Sequence, residues 1–492
     1  MDLIILTTLE PSQYDLAQPY LFNSTIMKKL NYTYAILISV LTITSCDSYL
    51  EDDIVSPNDP EIVTPQLLLS NVEVATFATY GGQLTRQSLV FSRQLSGTSA
   101  GSQSAEIARY IVTEITNENE WEIIWAGAVV DCKTLISEYG PVSPYYSGIA
   151  KVILAMNYGV ATDLWGAIPA EEGGLGLAVN LQPQYESQEV VLGKIQTILD
   201  EAIVELSAPV EDNFIVPPGA DDLIFGGDVT AWLQTAQIMK ARYANRLSII
   251  DPVGSANNVL AAVTSSDVTG SESDAFMIFF GGNAANQWFQ FEQQRRQYYR
   301  VSSYFADLLL VNNDPRLPFF LKTDGAGGYS GTPFDNPSVL ATSYVGPLYG
   351  TSTSSVPLVT FVEAKFLEAE AQLRLGASGL ASGAHNAAVI ASIQQATGGV
   401  DSLGQAFIDN FGSENAGSIT QEKIMMQKYI AMFIQIEVYA DQRRTNIPAL
   451  NPNPSANTGI PVRLPTPQSE RLYNPNAIVV SDTQTPVYWD VN

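Results

Sequence analysis

Residues 361–375 read Phe361-Val362-Glu363-Ala364-Lys365-Phe366-Leu367-Glu368-Ala369-Glu370-Ala371-Gln372-Leu373-Arg374-Leu375, and Gly376 follows. Val362, Phe366, Ala369 and Leu373 recur at i, i+4, i+7 and i+11, the spacing of one face of an α-helix. Glycine just past the last apolar residue is a helix stop, because it takes the left-handed backbone at little cost. Ala364, Ala369 and Ala371 are small enough to let a second helix approach closely. The same period appears on either side of this segment. It runs through 147–158 (Ile149, Val152, Ile153, Met156), 190–206 (Val190, Ile195, Ile198, Leu199, Ile203) and 230–249 (Leu233, Ile238, Tyr243, Leu247), the last from Thr230 as N-cap. Segments 384–397 and 420–442 add two more helices, the latter with Ile430, Phe433, Ile434 and Val438. These lengths suit helical hairpins, although no regular 34-residue repeat marks them. A mostly α scaffold is predicted.

Other stretches are loops. Residues 206–229 and 251–275 read as loop-rich, 321–357 holds Gly325, Gly327, Gly328, Gly331, Gly346 and Gly350, and 443–492 carries eight prolines. Loops of this length in a folded chain usually carry function.

The chain has 492 residues with 51 Asp+Glu against 24 Lys+Arg, a formal charge of -27. Nucleic-acid binding draws on clustered Lys and Arg, so this balance argues against it. His385, Cys46 and Cys132 are the only His and Cys, which excludes a disulfide framework and a His/Cys zinc site. Oxygen-ligand calcium remains chemically allowed, with Asp221, Asp222 and Asp228 as ligands. No loop spacing specifies that site, and no cofactor is expected.

Near the N-terminus, Met27-Lys28-Lys29 precedes the apolar run Tyr34 to Ile43 and then Thr44-Ser45-Cys46. Two positive charges, about ten apolar residues and small residues before a cleavage point form a secretory signal, too short to span a membrane comfortably. Ile43-Thr44-Ser45-Cys46 resembles a bacterial lipobox, in which the cysteine is acylated, with palmitate among the chains. On this reading residues 1–26 are a mis-annotated upstream extension, with translation starting at Met27. Residues 27–45 are then a lipoprotein signal peptide, and 46–62 a lipidated acidic tether through Glu51-Asp52-Asp53 and Ser56-Pro57. Residues 63–492 are read as a single domain.

Several internal motifs, behind that lipobox, resemble the SusD/RagB family of outer-membrane nutrient-binding lipoproteins of Bacteroidetes, its SusD-like branch in particular. They are Thr162-Asp163-Leu164-Trp165-Gly166-Ala167-Ile168-Pro169, Pro183-Gln184-Tyr185-Glu186, Asn313-Asp314-Pro315-Arg316, Glu363 through Glu370, and Gln427-Lys428-Tyr429 with Asp441-Gln442-Arg443-Arg444. The matches run in family order from Cys46 to about Tyr473. Ala170-Glu171-Glu172 departs from the longer polar-aromatic pattern that is common there. The resemblance implies four tetratricopeptide-like hairpins, with irregular loops forming a ligand face. It also implies a lipid-anchored outer-membrane protein facing the exterior, seated over a TonB-dependent, SusC-like barrel.

The motif residues read as structural. Gly166 and Pro169 shape a turn after Trp165, and Asp163 accepts N–H groups or pairs with a basic residue. Asp314 and Arg316 suit a capped turn, while Glu363, Lys365, Glu370, Asp441, Arg443 and Arg444 are candidates for buried ion pairs. No nucleophile elbow, phosphate loop or metal cluster appears, so the chain is not read as an enzyme. Sugar recognition needs aromatic faces beside polar groups. The densest such stretch is 286–300, with Asn286, Gln287, Trp288, Phe289, Tyr298 and Tyr299 as candidate ligand contacts among Gln293, Arg295 and Arg296. Asn117, Asn119, Trp121 and Trp125 form a second set, although the two tryptophans, four apart, also suit one packed helix face. The Gly-rich run 325–351 is a further candidate rim, for ligand or transporter. The functional expectation is capture of an oligosaccharide or polysaccharide for import through the barrel. Peptide capture by the same architecture and a surface scaffold without ligand are the alternatives.

Overall fold

The computed structural model describes residues 63–175 and 180–491. The upstream extension 1–26, the signal peptide 27–45 and the tether 46–62 with Cys46 therefore lie outside the described residues.

The described chain is mostly helical. Its scaffold helices are α1 (Pro65–Gly81), α2 (Gln83–Phe91), α3 (Pro144–Trp165), α4 (Gln188–Leu206), α5 (Val229–Arg246), α6 (Pro252–Ser266), α7 (Phe361–Arg374), α8 (Ser378–Thr397), α9 (Gln421–Ala431) and α10 (Glu437–Thr445). α3 pairs with α4, α5 with α6, and α7 with α8, while α1 packs on a helical stretch over 118–139. Each pair packs on the next, α4 against α5 and α6 against α7. This is the tetratricopeptide-like stacking of hairpins. The helix that set the prediction serves two neighbours: Val362, Phe366 and Ala369 of α7 meet Ala388, Val389 and Ile393 of α8, while Leu367 and Ala371 meet Val259 and Val263 of α6.

Three sequence expectations are corrected. Asp228, not Thr230, caps α5, its Oδ1 accepting Thr230 N at 2.9 Å and Ala231 N at 3.1 Å. Part of the predicted loop 251–275 is α6, begun by Asp251 accepting from Gly254 N at 2.9 Å and by Pro252 in the first turn. Its buried stripe is Ala256, Val259, Ala262 and Val263, too small in apolar bulk to stand out from sequence. The predicted helix 420–442 breaks into α9 and α10 at Ile434, which has φ 66°. Gln94 Oε1 accepts Ile434 N there at 3.2 Å, and Phe433 stacks on Phe305 at 4.7 Å, so tertiary packing overrides the helical period.

Two short antiparallel ladders tie the loops to this scaffold: β1 (Leu95–Gly97) with β3 (Tyr299–Val301), and β2 (Ala275–Met277) with β4 (Val356–Val359). A charged layer crosses the helices. Arg242 on α5 binds Glu363 on α7, and Arg246 on α5 binds Asp163 on α3 at 2.9 Å and also Glu437 on α10. Arg444 on α10 binds Glu370 on α7 at 2.6 Å and Asp441 at 2.9 Å, and Lys428 on α9 reaches the same two carboxylates at 3.2 and 2.8 Å. All of these groups are buried. Burial pushes the Glu370 carboxyl up, and the charges of Arg444 and Lys428 outweigh it, holding Glu370 below the usual carboxylate range.

Candidate ligand-binding face

The family-like turn at 162–169 is a packing device. Gly166 has φ 79°, a left-handed conformation open to glycine, and its N–H donates to Thr162 O at 2.9 Å. Trp165 is buried and donates to Pro465 O at 3.0 Å, and the carbonyl of Pro169 accepts Gly173 N at 2.8 Å. Asp163 faces away from that turn: its second oxygen accepts the indole N–H of Trp489 at 2.8 Å, and Arg443 donates to its backbone carbonyl at 2.8 Å. Asp314 and Arg316 form a bidentate pair at 2.9 and 2.7 Å inside the core, with Arg316 also donating to Ser392 Oγ at 2.9 Å. Lys365 meets Glu368 one turn on, at 2.8 Å, rather than a neighbouring helix.

The calcium candidates are engaged by donors from the protein. Asp222 accepts the N–H groups of Ile224, Phe225 and Gly227 and the indole of Trp232, while Asp221 accepts the hydroxyl of Tyr146 at 2.7 Å. Among the described residues, no group of three or more His, Cys, Asp or Glu is placed to hold a metal.

The stretch 286–300 divides sharply by burial. Asn286 is enclosed and works as a helix cap, accepting Trp288 N at 2.7 Å and Phe289 N at 3.3 Å and donating to Tyr349 O and Ser354 O. Trp288 and Tyr299 are also enclosed, Tyr299 because β3 turns it inward to accept from Gln83 Nε2 at 3.3 Å. Gln287, Phe289 and Tyr298 are half-buried and reach solvent, with Gln293, Arg295 and Arg296 exposed beside them. Asn117, Trp121 and Trp125 are buried too. Trp121 packs on Trp125 at 5.3 Å and on Trp165 at 5.2 Å, the packed helix face rather than an open platform, while Asn119 is exposed.

Tyr298 sits where several loops meet. Its carbonyl accepts Thr98 N at 2.9 Å, extending the β1–β3 ladder, and Thr98 Oγ1 donates to Gln297 O at 2.5 Å. One side of its ring lies on Gly101, where a Cβ would stand 2.4 Å from Tyr298 Cε2, so only glycine leaves room. Phe291 meets the ring edge-on at 6.3 Å, and the Arg295 guanidinium lies 5.8 Å from its centroid. The Gly-rich run closes the same surface: Ser99 N donates to Pro337 O at 3.0 Å, Gln297 Nε2 to Leu340 O at 3.4 Å, and Asn453 Nδ2 to Phe334 O at 2.9 Å. A half-open aromatic ring fixed among arginine and amide side chains is an arrangement that meets the face and hydroxyls of a sugar.

Residues 57–467 match the SusD-like family described as starch-binding, associating with the outer membrane. The chain belongs to this SusD-like family. Its fold is similar to a SusD/RagB family protein from Bacteroides thetaiotaomicron, at 22% identity and a TM-score of 0.72, covering 88% of this chain and 100% of the other. A chitin-binding SusD homolog from Flavobacterium johnsoniae has a TM-score of 0.74 at 19% identity, covering 86% of this chain and 97% of that one. A further structure, titled a chitin-binding protein, gives 0.71 at 22% identity, covering 87% and 100%. No curated protein matches the chain. Among the described residues of this SusD-like chain, no helix is long and apolar enough to cross a membrane.

Proposed function

We propose that this chain is a non-enzymatic surface lipoprotein that captures an oligosaccharide or polysaccharide and delivers it to a TonB-dependent outer-membrane barrel. Cys46 carries the lipid in this reading, and the protein faces the exterior. The observation that carries the proposal is the Tyr298 ring, held half-open against Gly101 with the Arg295 guanidinium 5.8 Å from its centroid. Phe291 meets that ring edge-on and adds to its apolar surroundings. The buried Trp288, Tyr299 and Asn286 hold the segment in shape beneath it. Family membership and the chitin-binding titles of two structural neighbours support a glycan as ligand.

The test is a glycan array followed by calorimetry on chitin and starch oligosaccharides with wild type and Tyr298→Ala. Binding by wild type and a loss of about tenfold in the variant is the expected result. A wild type that binds no glycan but retains peptides would overturn the reading.

A further inference from the structure

A second exposed aromatic residue lies outside the 286–300 segment. Tyr473 ends a short helix, Gln468–Tyr473, and is 73% exposed, whereas no other described tyrosine exceeds 38%. The helix beneath it is fastened on several sides. Glu470 accepts the indole N–H of Trp121 at 3.2 Å, the hydroxyl of Tyr185 at 3.1 Å and Asn474 Nδ2 at 3.1 Å. Glu118 accepts Ser469 N at 2.9 Å and Ser469 Oγ at 2.7 Å, and Arg471 pairs with Glu114 at 2.8 Å. An aromatic ring on so rigid a base loses little freedom when a ligand covers it.

Amide side chains bind the backbone of this segment. Gln182 Nε2 donates to the carbonyl of Tyr473 at 3.3 Å, and Asn476 Nδ2 donates to the carbonyl of Gln182 at 2.7 Å. Neither Gln182 Oε1 nor Asn476 Oδ1 accepts a hydrogen bond from a described residue, so among the described residues both acceptors are open to a ligand at Tyr473. Of the two charged residues nearest in sequence, Arg471 is neutralised by Glu114, and the Glu470 carboxylate is taken up by Trp121, Tyr185 and Asn474. A neutral ligand with an apolar face and many hydroxyls matches this chemistry, since the tyrosine face covers ring C–H groups and the planar amides meet hydroxyl pairs.

We infer that Tyr473, with Gln182 and Asn476, forms a second binding site for neutral saccharide, distinct from the Tyr298 face. The inference rests on glycan capture being the function. Two sites on one rigid body raise affinity for a chain long enough to reach both, through effective concentration, and leave short fragments bound one at a time.

The experiment compares wild type, Tyr473→Ala, Gln182→Ala, Tyr298→Ala and the double Tyr298→Ala/Tyr473→Ala variant. Calorimetry uses maltoheptaose and chitohexaose, and affinity electrophoresis uses soluble starch and glycol chitin. The expected result is a loss of about five- to tenfold in polymer affinity for Tyr473→Ala at unchanged melting temperature, with a larger loss in the double variant. If Tyr473→Ala lowers the melting temperature, Gln182→Ala decides instead, because that side chain adds only one 3.3 Å bond to the fold. Wild-type affinity in the Tyr473 variant, with Tyr298→Ala weakened, overturns the second site and leaves glycan capture standing. A wild type that binds none of these saccharides overturns both.

Discussion

Arg242 and Glu363 meet fork to fork: the guanidinium Nε and Nη2 each lie 2.6 Å from one of the two carboxylate oxygens, and both side chains are sealed from solvent. The pair bolts α5 to α7, and Arg242 Nη2 also donates to Leu358 O in β4 at 2.7 Å.

Removing one partner leaves the other charge buried without compensation, which costs far more than the pair contributes. Glu363→Gln is expected to destabilise the protein by about 3–5 kcal/mol in urea unfolding. The double change Arg242→Met/Glu363→Met is expected to recover most of that loss, because two apolar groups have no charge to desolvate. A double variant as unstable as the single one would show that shape, not charge, holds this contact.

Trp288 and Tyr298 are ten residues apart and differ in kind. Trp288→Ala opens a cavity in the core and is expected to cost about 3–5 kcal/mol of stability. Tyr298→Ala is expected to leave the unfolding midpoint nearly unchanged and to lower glycan affinity. Parallel unfolding and binding curves separate the two effects.

Gly101 supports the Tyr298 ring without any side chain of its own. Gly101→Ala places a methyl 2.4 Å from Tyr298 Cε2, so the ring must swing aside. The expected outcome is a loss of glycan affinity approaching that of Tyr298→Ala, with stability changed by less than about 1 kcal/mol. Unchanged binding would mean that the position of the ring is irrelevant to the ligand.

Burial pushes the Asp274 carboxyl up to about 7, against the lowering effect of its bond from Phe361 N at 2.6 Å. The folded state therefore holds a proton on Asp274 between the unfolded carboxylate range near 4 and pH 7, where the unfolded chain has released it. Stability from this residue is full below that window and is lost as pH rises through it. Asp274→Asn removes the titration, so its stability relative to wild type is expected to climb by up to about 3 kcal/mol between pH 4 and 7 and to stay level above. Urea midpoints for both proteins across this range check the sign.

Much of the scaffold was legible because a helix packed on one side advertises its stripe, as 361–375 does. α6 was not, since alanine and valine packed at close range leave little apolar contrast. Nor was the break at Ile434, which depends on Gln94, a residue 340 positions away. The acidic and basic motif residues were visible as candidates for pairing, but several of their partners were not. Arg242, Arg246 and Glu437 belong to helices joined only by the tertiary fold. At the ligand face, an asparagine next to tryptophan and phenylalanine has the same composition whether it caps a helix or greets a sugar. The capping geometry of Asn286 and the inward pleat of Tyr299 settle that division, and sequence spacing alone carries neither. Tyr473 gave no signal, because a tyrosine between leucine and asparagine reads equally well as packed or open.

The contact between Asp163 and Trp489 spans 326 residues. Synthesis runs from the N-terminal end, so α3 and its carboxylate are made long before that indole. The seam between α3 and the C-terminal segment is thus completed late: a chain truncated before Trp489 would keep the Trp165–Pro465 bond and lose the Asp163–Trp489 one. Contacts of such range slow folding and lengthen the time for which hydrophobic helices stand uncovered.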